Sequence, residues 1–167
     1  MVDLDDQLAE LVALRDEGKI GAIGISNVPA DTLRRALPAG IVCVQNAYSV
    51  LDRSQEPTLD VCTAEGIAWV PFFPLGSGFP GFPKLTDQQA LVDIAERLGA
   101  TPAQVALAWL LAHSPNTLPI PGTASIVHLE QNLAAGDIAL TADDMARLDA
   151  IGHDAPSHAH GLDGFVE

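Results

Sequence analysis

Four clusters of polar residues and glycines stand where short apolar runs end, and they carry most of the chemistry this sequence offers. Ser26-Asn27 closes the first run and Gln45-Asn46 the second. Phe72-Phe73-Pro74-Leu75-Gly76-Ser77-Gly78 closes the third, and Pro121-Gly122-Thr123-Ala124-Ser125 the fourth. Asn27 and Gln45 offer amide donors and acceptors, and Phe72 offers a flat π-face. The glycines let backbone amides approach an anion at a helix N-terminus. Each cluster taken singly reads as a turn former or a helix cap. The four together suit a nucleotide cofactor, provided they converge on one surface.

Acid–base groups are scarce by comparison. The chain holds one tyrosine, Tyr48, and two lysines, Lys19 and Lys84. Lys19 lies in a Glu17-Gly18-Lys19 turn, where a solvated ammonium is expected. His153, His158 and His160 gather near the C-terminus without a carboxylate cage, so no metal site is predicted there. The sequence has no Gly-x-Ser-x-Gly, His-Glu-x-x-His or Walker-type loop. Gly21 and Gly24 lie within an apolar run rather than after it, which excludes the dinucleotide fingerprint whose glycines form the turn into a helix.

The elements that must position the four clusters follow from periodicity. Leu4, Leu8, Leu11 and Val12 fall on one face of a helix over Asp5 to Glu17, with Gly18 at its left-handed cap. The run Ile20 to Ile25 is too short for a helix and predicts a strand buried on both faces. Further units repeat the pattern: helix Pro29 to Leu37, strand Ile41 to Gln45, helix Pro57 to Glu65, strand Ile67 to Phe73, short strand Leu118 to Ile120 and helix Ser125 to Ala135. Strands alternating with helices predict a parallel α/β sheet, whose carboxyl-terminal strand ends face the ligand. Capping boxes are expected at Thr86 with Gln89, Thr101 with Gln104 and Thr141 with Asp144. The helix Pro102 to His113 has almost no polar face and should be covered on most sides.

Composition bounds the function classes. At 167 residues, 48% of them apolar, the chain is one domain's worth with enough material for a core. Its 8 basic against 22 acidic residues give a net charge of −14, the wrong sign for nucleic acid or an anionic membrane. No apolar run reaches the roughly 20 residues of a bilayer span, and the opening Met-Val-Asp-Leu-Asp-Asp is acidic where a signal peptide would be basic. These features read as soluble and cytoplasmic. Cys43 and Cys62 form no metal spacing and are expected to be reduced structural thiols. A domain over residues 1–152 and a loosely ordered tail over 153–167 are expected.

Read in order, Leu14-Arg-Asp-Glu-Gly-Lys-Ile-Gly-Ala-Ile-Gly-Ile-Ser-Asn27, Val44-Gln-Asn-Ala-Tyr-Ser-Val-Leu-Asp-Arg53, Pro71-Phe-Phe-Pro-Leu-Gly-Ser-Gly78 and Ile120-Pro-Gly-Thr-Ala-Ser-Ile-Val-His-Leu-Glu-Gln-Asn132 resemble the aldo/keto reductase family. The resemblance covers about residues 5 to 152 and only the second half of that family's TIM (β/α)8 barrel. It implies a half-barrel of about four parallel strands with surrounding helices, and NADPH-dependent reduction of aldehydes or ketones to alcohols in the intact enzyme.

The resemblance also assigns residues. Ser26, Asn27 and Gln45 correspond to those that hold the nicotinamide carboxamide, and Phe72 to the aromatic residue that stacks on the ring. Leu75, Gly76 and Ser77 resemble the start of a loop over the pyrophosphate. Gly122, Thr123, Ser125, His128, Gln131 and Asn132 stand where the family grips the adenosine 2′-phosphate and adenine. Gly122 replaces a frequent lysine, His128 a frequent arginine and Gln131 a frequent glutamate, so NADP(H) is favoured but NAD(H) stays open.

The family's catalytic Asp, Tyr, Lys and His belong to the other half of the barrel, and Tyr48 matches a pocket residue instead. No catalysis by this chain alone is therefore expected. The resemblance leaves three readings: a truncated or divided frame of a reductase, one subunit of a split reductase completed by an N-terminal half-barrel, or a non-catalytic nucleotide-binding or interaction module. A half-barrel with open edges also implies a homodimer or a complementary partner.

Overall fold

The computed structural model describes residues 3–76 and 83–151. Seven helices are described, α1 (Leu4–Asp16), α2 (Ala30–Ala36), α3 (Glu56–Glu65), α4 (Gln89–Leu98), α5 (Pro102–His113), α6 (Ile126–Ala134) and α7 (Ala142–Asp149). Three strands, β1 (Ile23–Ser26), β2 (Ile41–Gln45) and β3 (Ala68–Trp69), pair in parallel in the order β1-β2-β3. Helices cross between successive parallel strands, as parallel pairing requires. The result is a partial α/β barrel. The expected tail over 153–167, with its three histidines, and Ser77 lie outside the described residues.

The sheet differs from expectation at its far end, and proline is the reason. The strand expected over Ile67 to Phe73 is assigned only at Ala68–Trp69, although Val70 N–H still donates to Val44 C=O (2.8 Å) and Phe72 N–H to Asn46 C=O (3.1 Å). Pro71 between them has no N–H to give. The strand expected over Leu118 to Ile120 is reduced to a bridge between Trp69 and Thr117, with Leu118 N–H donating to Trp69 C=O (2.7 Å). The next rung would need an N–H from Pro71 to Leu118 C=O, which proline cannot give. The first strand begins three residues later than expected and carries a register irregularity between Ile23 and Gly24.

The glycine at that irregularity is required by space. A Cβ on Gly24 would lie 2.6 Å from Cys43 Sγ in the neighbouring strand. Both cysteines are free thiols, as expected. Burial, and then the adjacent Cys43, push the Cys62 thiol up to about 11, which suits an inert structural thiol.

Trp69, Trp109, Ile23, Leu33, Leu91, Ile94, Leu107 and Val44 are fully buried in one core. Helix α5 supplies six consecutive buried residues, Val105 to Leu110, as its apolar circumference predicts. Its capping box is present: Thr101 Oγ1 accepts from Gln104 N–H while Thr101 N–H donates to Gln104 Oε1. The box at Thr141 and Asp144 is present as well. The one expected at Thr86 and Gln89 is absent. Thr86 sits in a 3-10 turn over Leu85–Asp87, and extended backbone at Gln88 separates it from α4.

Candidate cofactor site

Parallel pairing brings the first three clusters together at the carboxyl ends of the strands. Ser26 is the register partner of Gln45, and Ala47 bridges to Phe72. The Gln45 carbonyl accepts from Ser26 Oγ (2.7 Å) and from Asn27 N–H (3.0 Å). Asn27 then turns with φ +54°, a left-handed conformation that asparagine tolerates better than most residues. The Ser26, Asn27 and Gln45 side chains are exposed at this rim. Phe72 is half-buried, with the Phe73 ring edge-on to it at 5.1 Å.

Beyond Phe72 the chain tightens into a turn. Gly76 N–H donates to Phe73 C=O (2.8 Å), and Gly76 takes φ +79° where a Cβ would press on Leu51 Cδ1 at 2.9 Å. Leu75 packs against the core from the same turn.

The fourth cluster is organised by the start of α6. Ser125 is the N-cap, its hydroxyl accepting from His128 N–H (3.4 Å), while Thr123 Oγ1 accepts from Ser125 N–H (3.1 Å). Gly122, Thr123 and His128 are exposed, and Gln131 and Asn132 are half-buried along the helix. Both hydroxyls keep a donor hydrogen for an anion, beside the open amides of the helix N-terminus.

Tyr48, which the resemblance matches to a pocket residue, is closed off from the rim. It is 2% exposed, and its hydroxyl donates to Glu56 Oε2 at 2.6 Å. Arg53 Nε donates to the same oxygen (2.9 Å), and His113 Nε2 meets Glu56 Oε1 (2.7 Å). Burial and then Glu56 raise the phenol above its ordinary value, so Tyr48 is poorly placed to give up a proton. Burial alone would raise Glu56, but hydrogen bonds from His113, Tyr48 and Arg53 outweigh it and hold the carboxyl down at about 2. Trp109 stacks on the His113 ring at 4.5 Å and donates through Nε1 to Asp149 Oδ1 (2.9 Å), which ties α7 into the same network.

The sequence places one more side chain, Asn46, in the second cluster without giving it a role. Asn46, 1% exposed, follows Gln45 and reaches across to the loop after β1. The only signal was a second amide at a strand end.

Comparison with known proteins decides the family. The model of the aldo/keto reductase family matches residues 1–153. The chain belongs to the aldo/keto reductase family. Pyridoxine 4-dehydrogenase of Escherichia coli (strain K12) is 44% identical over 149 residues, covering 89% of this chain and 50% of that protein. An uncharacterized oxidoreductase of Schizosaccharomyces pombe is 37% identical over 151 residues, covering 88% and 47%. The chain thus spans about half the length of these curated relatives.

Solved structures agree on the fold. A thermostable aldo-keto reductase crystallised with the inhibitor epalrestat superposes at TM-score 0.81 and 33% identity, over 90% of this chain and 56% of that one. Aldose reductase from Giardia lamblia, at 24% identity, shares the fold at TM-score 0.83 over 93% and 52%. Among the described residues, no helix is long and apolar enough to cross a membrane, and no group of three or more His, Cys, Asp or Glu side chains is placed to hold a metal ion.

Proposed function

We propose that these residues form the cofactor-binding half of an aldo/keto reductase that reduces aldehydes or ketones with NADPH. The observation that carries this reading is the register that sets Ser26 beside Gln45 and joins Ala47 to Phe72, so that amide, hydroxyl and ring groups share one rim. Ser26, Asn27 and Gln45 would hold the nicotinamide carboxamide and Phe72 would face its ring. Leu75, Gly76 and Ser77 would begin the cover over the pyrophosphate. Gly122, Thr123, Ser125, His128, Gln131 and Asn132 would hold the adenosine end.

A bound nicotinamide supplies the hydride for carbonyl reduction. The proton must come from an acid tuned by its neighbours, and Tyr48, buried on Glu56, does not offer one at the rim. The proton donor would therefore come from residues other than these, in a complementary half of the barrel. The cytosol suits a chain whose two described thiols are free.

The test is a pair of assays on the purified chain. No NADPH oxidation is expected with 4-nitrobenzaldehyde, and calorimetric titration should give NADPH affinity weaker than tens of micromolar, since these residues would supply only one wall of the site. Phe72→Ala should weaken it further. His128→Arg should strengthen NADPH over NADH by a charge-assisted contact to the 2′-phosphate. Turnover that Gln45→Ala abolishes, or submicromolar binding to the chain alone, contradicts the proposal.

A further inference from the structure

The Asn46 side chain pairs with both backbone groups of Val28, eighteen residues away: Val28 N–H donates to Oδ1 (3.2 Å), and Nδ2 donates to Val28 C=O (2.7 Å). The geometry imitates one more rung of the β1–β2 ladder, made by a side chain at the point where the main chain has already turned away. The second Nδ2 hydrogen goes to Gln55 Oε1 (2.9 Å), which also accepts from Thr58 Oγ1 (3.1 Å) at the start of α3. A flipped Asn46 amide would set its oxygen against two acceptors and its nitrogen against an N–H, so this network admits one orientation. The backbone carbonyl of Asn46 meanwhile accepts from Phe72 N–H (3.1 Å).

We propose that Asn46 is a positioning residue for the nicotinamide end of the site, acting through Asn27 and Phe72 rather than by touching the ligand. Asn27 lies between the last rung of β1 and the Val28 clamp, and its left-handed turn is unfavourable for a residue with a Cβ. Gln45 C=O holds its N–H on one side, and Asn46 holds the next peptide unit on the other. The same residue fixes the strand end that carries Phe72. Ser26 and Asn27, Gln45 and Phe72 sit on three separate segments, and Asn46 is bonded to or adjacent to all three. Gln55 sets the orientation of the amide that does this. The clamp rests on geometry alone, whereas its consequence for a ligand rests on the cofactor reading above.

The test separates the two with the full chain labelled with 15N. In Asn46→Leu, similar in size but without polar atoms, the Val28 amide should lose protection from hydrogen exchange by about tenfold or more relative to core amides such as those of Leu33 and Ile94. The Asn27 N–H to Hα coupling should leave the value expected for positive φ. Gln55→Met, which removes only the orienting acceptor, should move both in the same direction by less, and it serves if Asn46→Leu does not fold. Reduced nicotinamide mononucleotide and adenosine 2′,5′-bisphosphate are then titrated separately. Asn46→Leu should weaken the first by about tenfold, near 1.4 kcal/mol, and leave the second unchanged.

Unchanged Val28 protection and Asn27 coupling in both variants overturn the clamp whatever binds. Equal loss of both ligands, in step with global unfolding, overturns the positioning role and leaves Asn46 a general core residue. Failure of the wild-type chain to bind either fragment, with the clamp effects intact, overturns the cofactor reading and the ligand role with it.

Discussion

Replacing Glu56 by alanine is expected to destabilise the chain by about 2–3 kcal/mol, short of the cost of breaking a fully buried ion pair because Glu56 is only half-buried. Three donors converge on this carboxylate: the Tyr48 hydroxyl, the Arg53 guanidinium and the His113 ring. Arg53 is 14% exposed and His113 15%, so water replaces only part of what they lose. The damage should spread to α7, because Arg53 also donates to Asp149 C=O (3.0 Å) and its guanidinium lies 5.7 Å over the Trp109 ring.

The same network sets a pH dependence. The Glu56 carboxyl is held at about 2 against an ordinary value of 4.5, so its contribution is present above about 4.5 and is lost as pH falls through about 2. Glu56 is 29% exposed, which discounts that contribution to about 2 kcal/mol. Urea unfolding followed by Trp69 and Trp109 fluorescence, at fixed protein concentration, should show the gap between wild type and Glu56→Gln closing as pH is lowered through that window. A Glu56→Ala loss below about 1 kcal/mol at neutral pH contradicts the network's role.

The chain is expected to form a homodimer or a complex with a complementary half, or else to be poorly soluble, and not to be a compact monomer. Among the described residues β1 ends the sheet, so one row of its backbone donors and acceptors lacks a strand there. Helix α6 has no buried residue, although Ile126 is 75% exposed and Leu133 73%, with Val127, Leu129, Leu118 and Ile120 exposed beside them. An amphipathic helix normally turns such a stripe to a core. Several hundred Å2 of apolar surface left wet forfeits on the order of 10 kcal/mol at about 25 cal/mol per Å2, which rivals the stability of a small domain. The net charge of −14 opposes self-association without cancelling a term of that size. Sedimentation equilibrium should find a dimer or larger species that salt strengthens, whereas a monodisperse monomer with cooperative unfolding contradicts the expectation.

What the sequence revealed depended on how local the cause was. β2 spans Ile41–Gln45 as its apolar run predicts, because five residues between turn signals leave no other element to form. The boxes at Thr101 and Thr141 act within one turn and were visible as spacing. At Thr86 the same spacing misled, since the backbone at Gln88 is extended and the helix starts after it. Strand ends were overestimated where proline falls among apolar residues, at Pro71. The rim residues Ser26, Gln45 and Phe72 are legible as strand-end chemistry, whereas Asn46 is legible only as a member of its cluster and Glu56 not at all. Their partners, Val28 and His113, are 18 and 57 residues away and are brought to them only by the crossover helices.

The proposed nicotinamide dinucleotide site would join the three strand ends to the α6 N-terminus. Its most direct test is a titration of the 15N-labelled chain with NADPH, read residue by residue. Saturable shifts are expected at Ser26, Asn27, Gln45 and Phe72 together with Ser125 and His128, with α1 and α4 unmoved. Shifts confined to other surfaces, or none at millimolar cofactor, would contradict it.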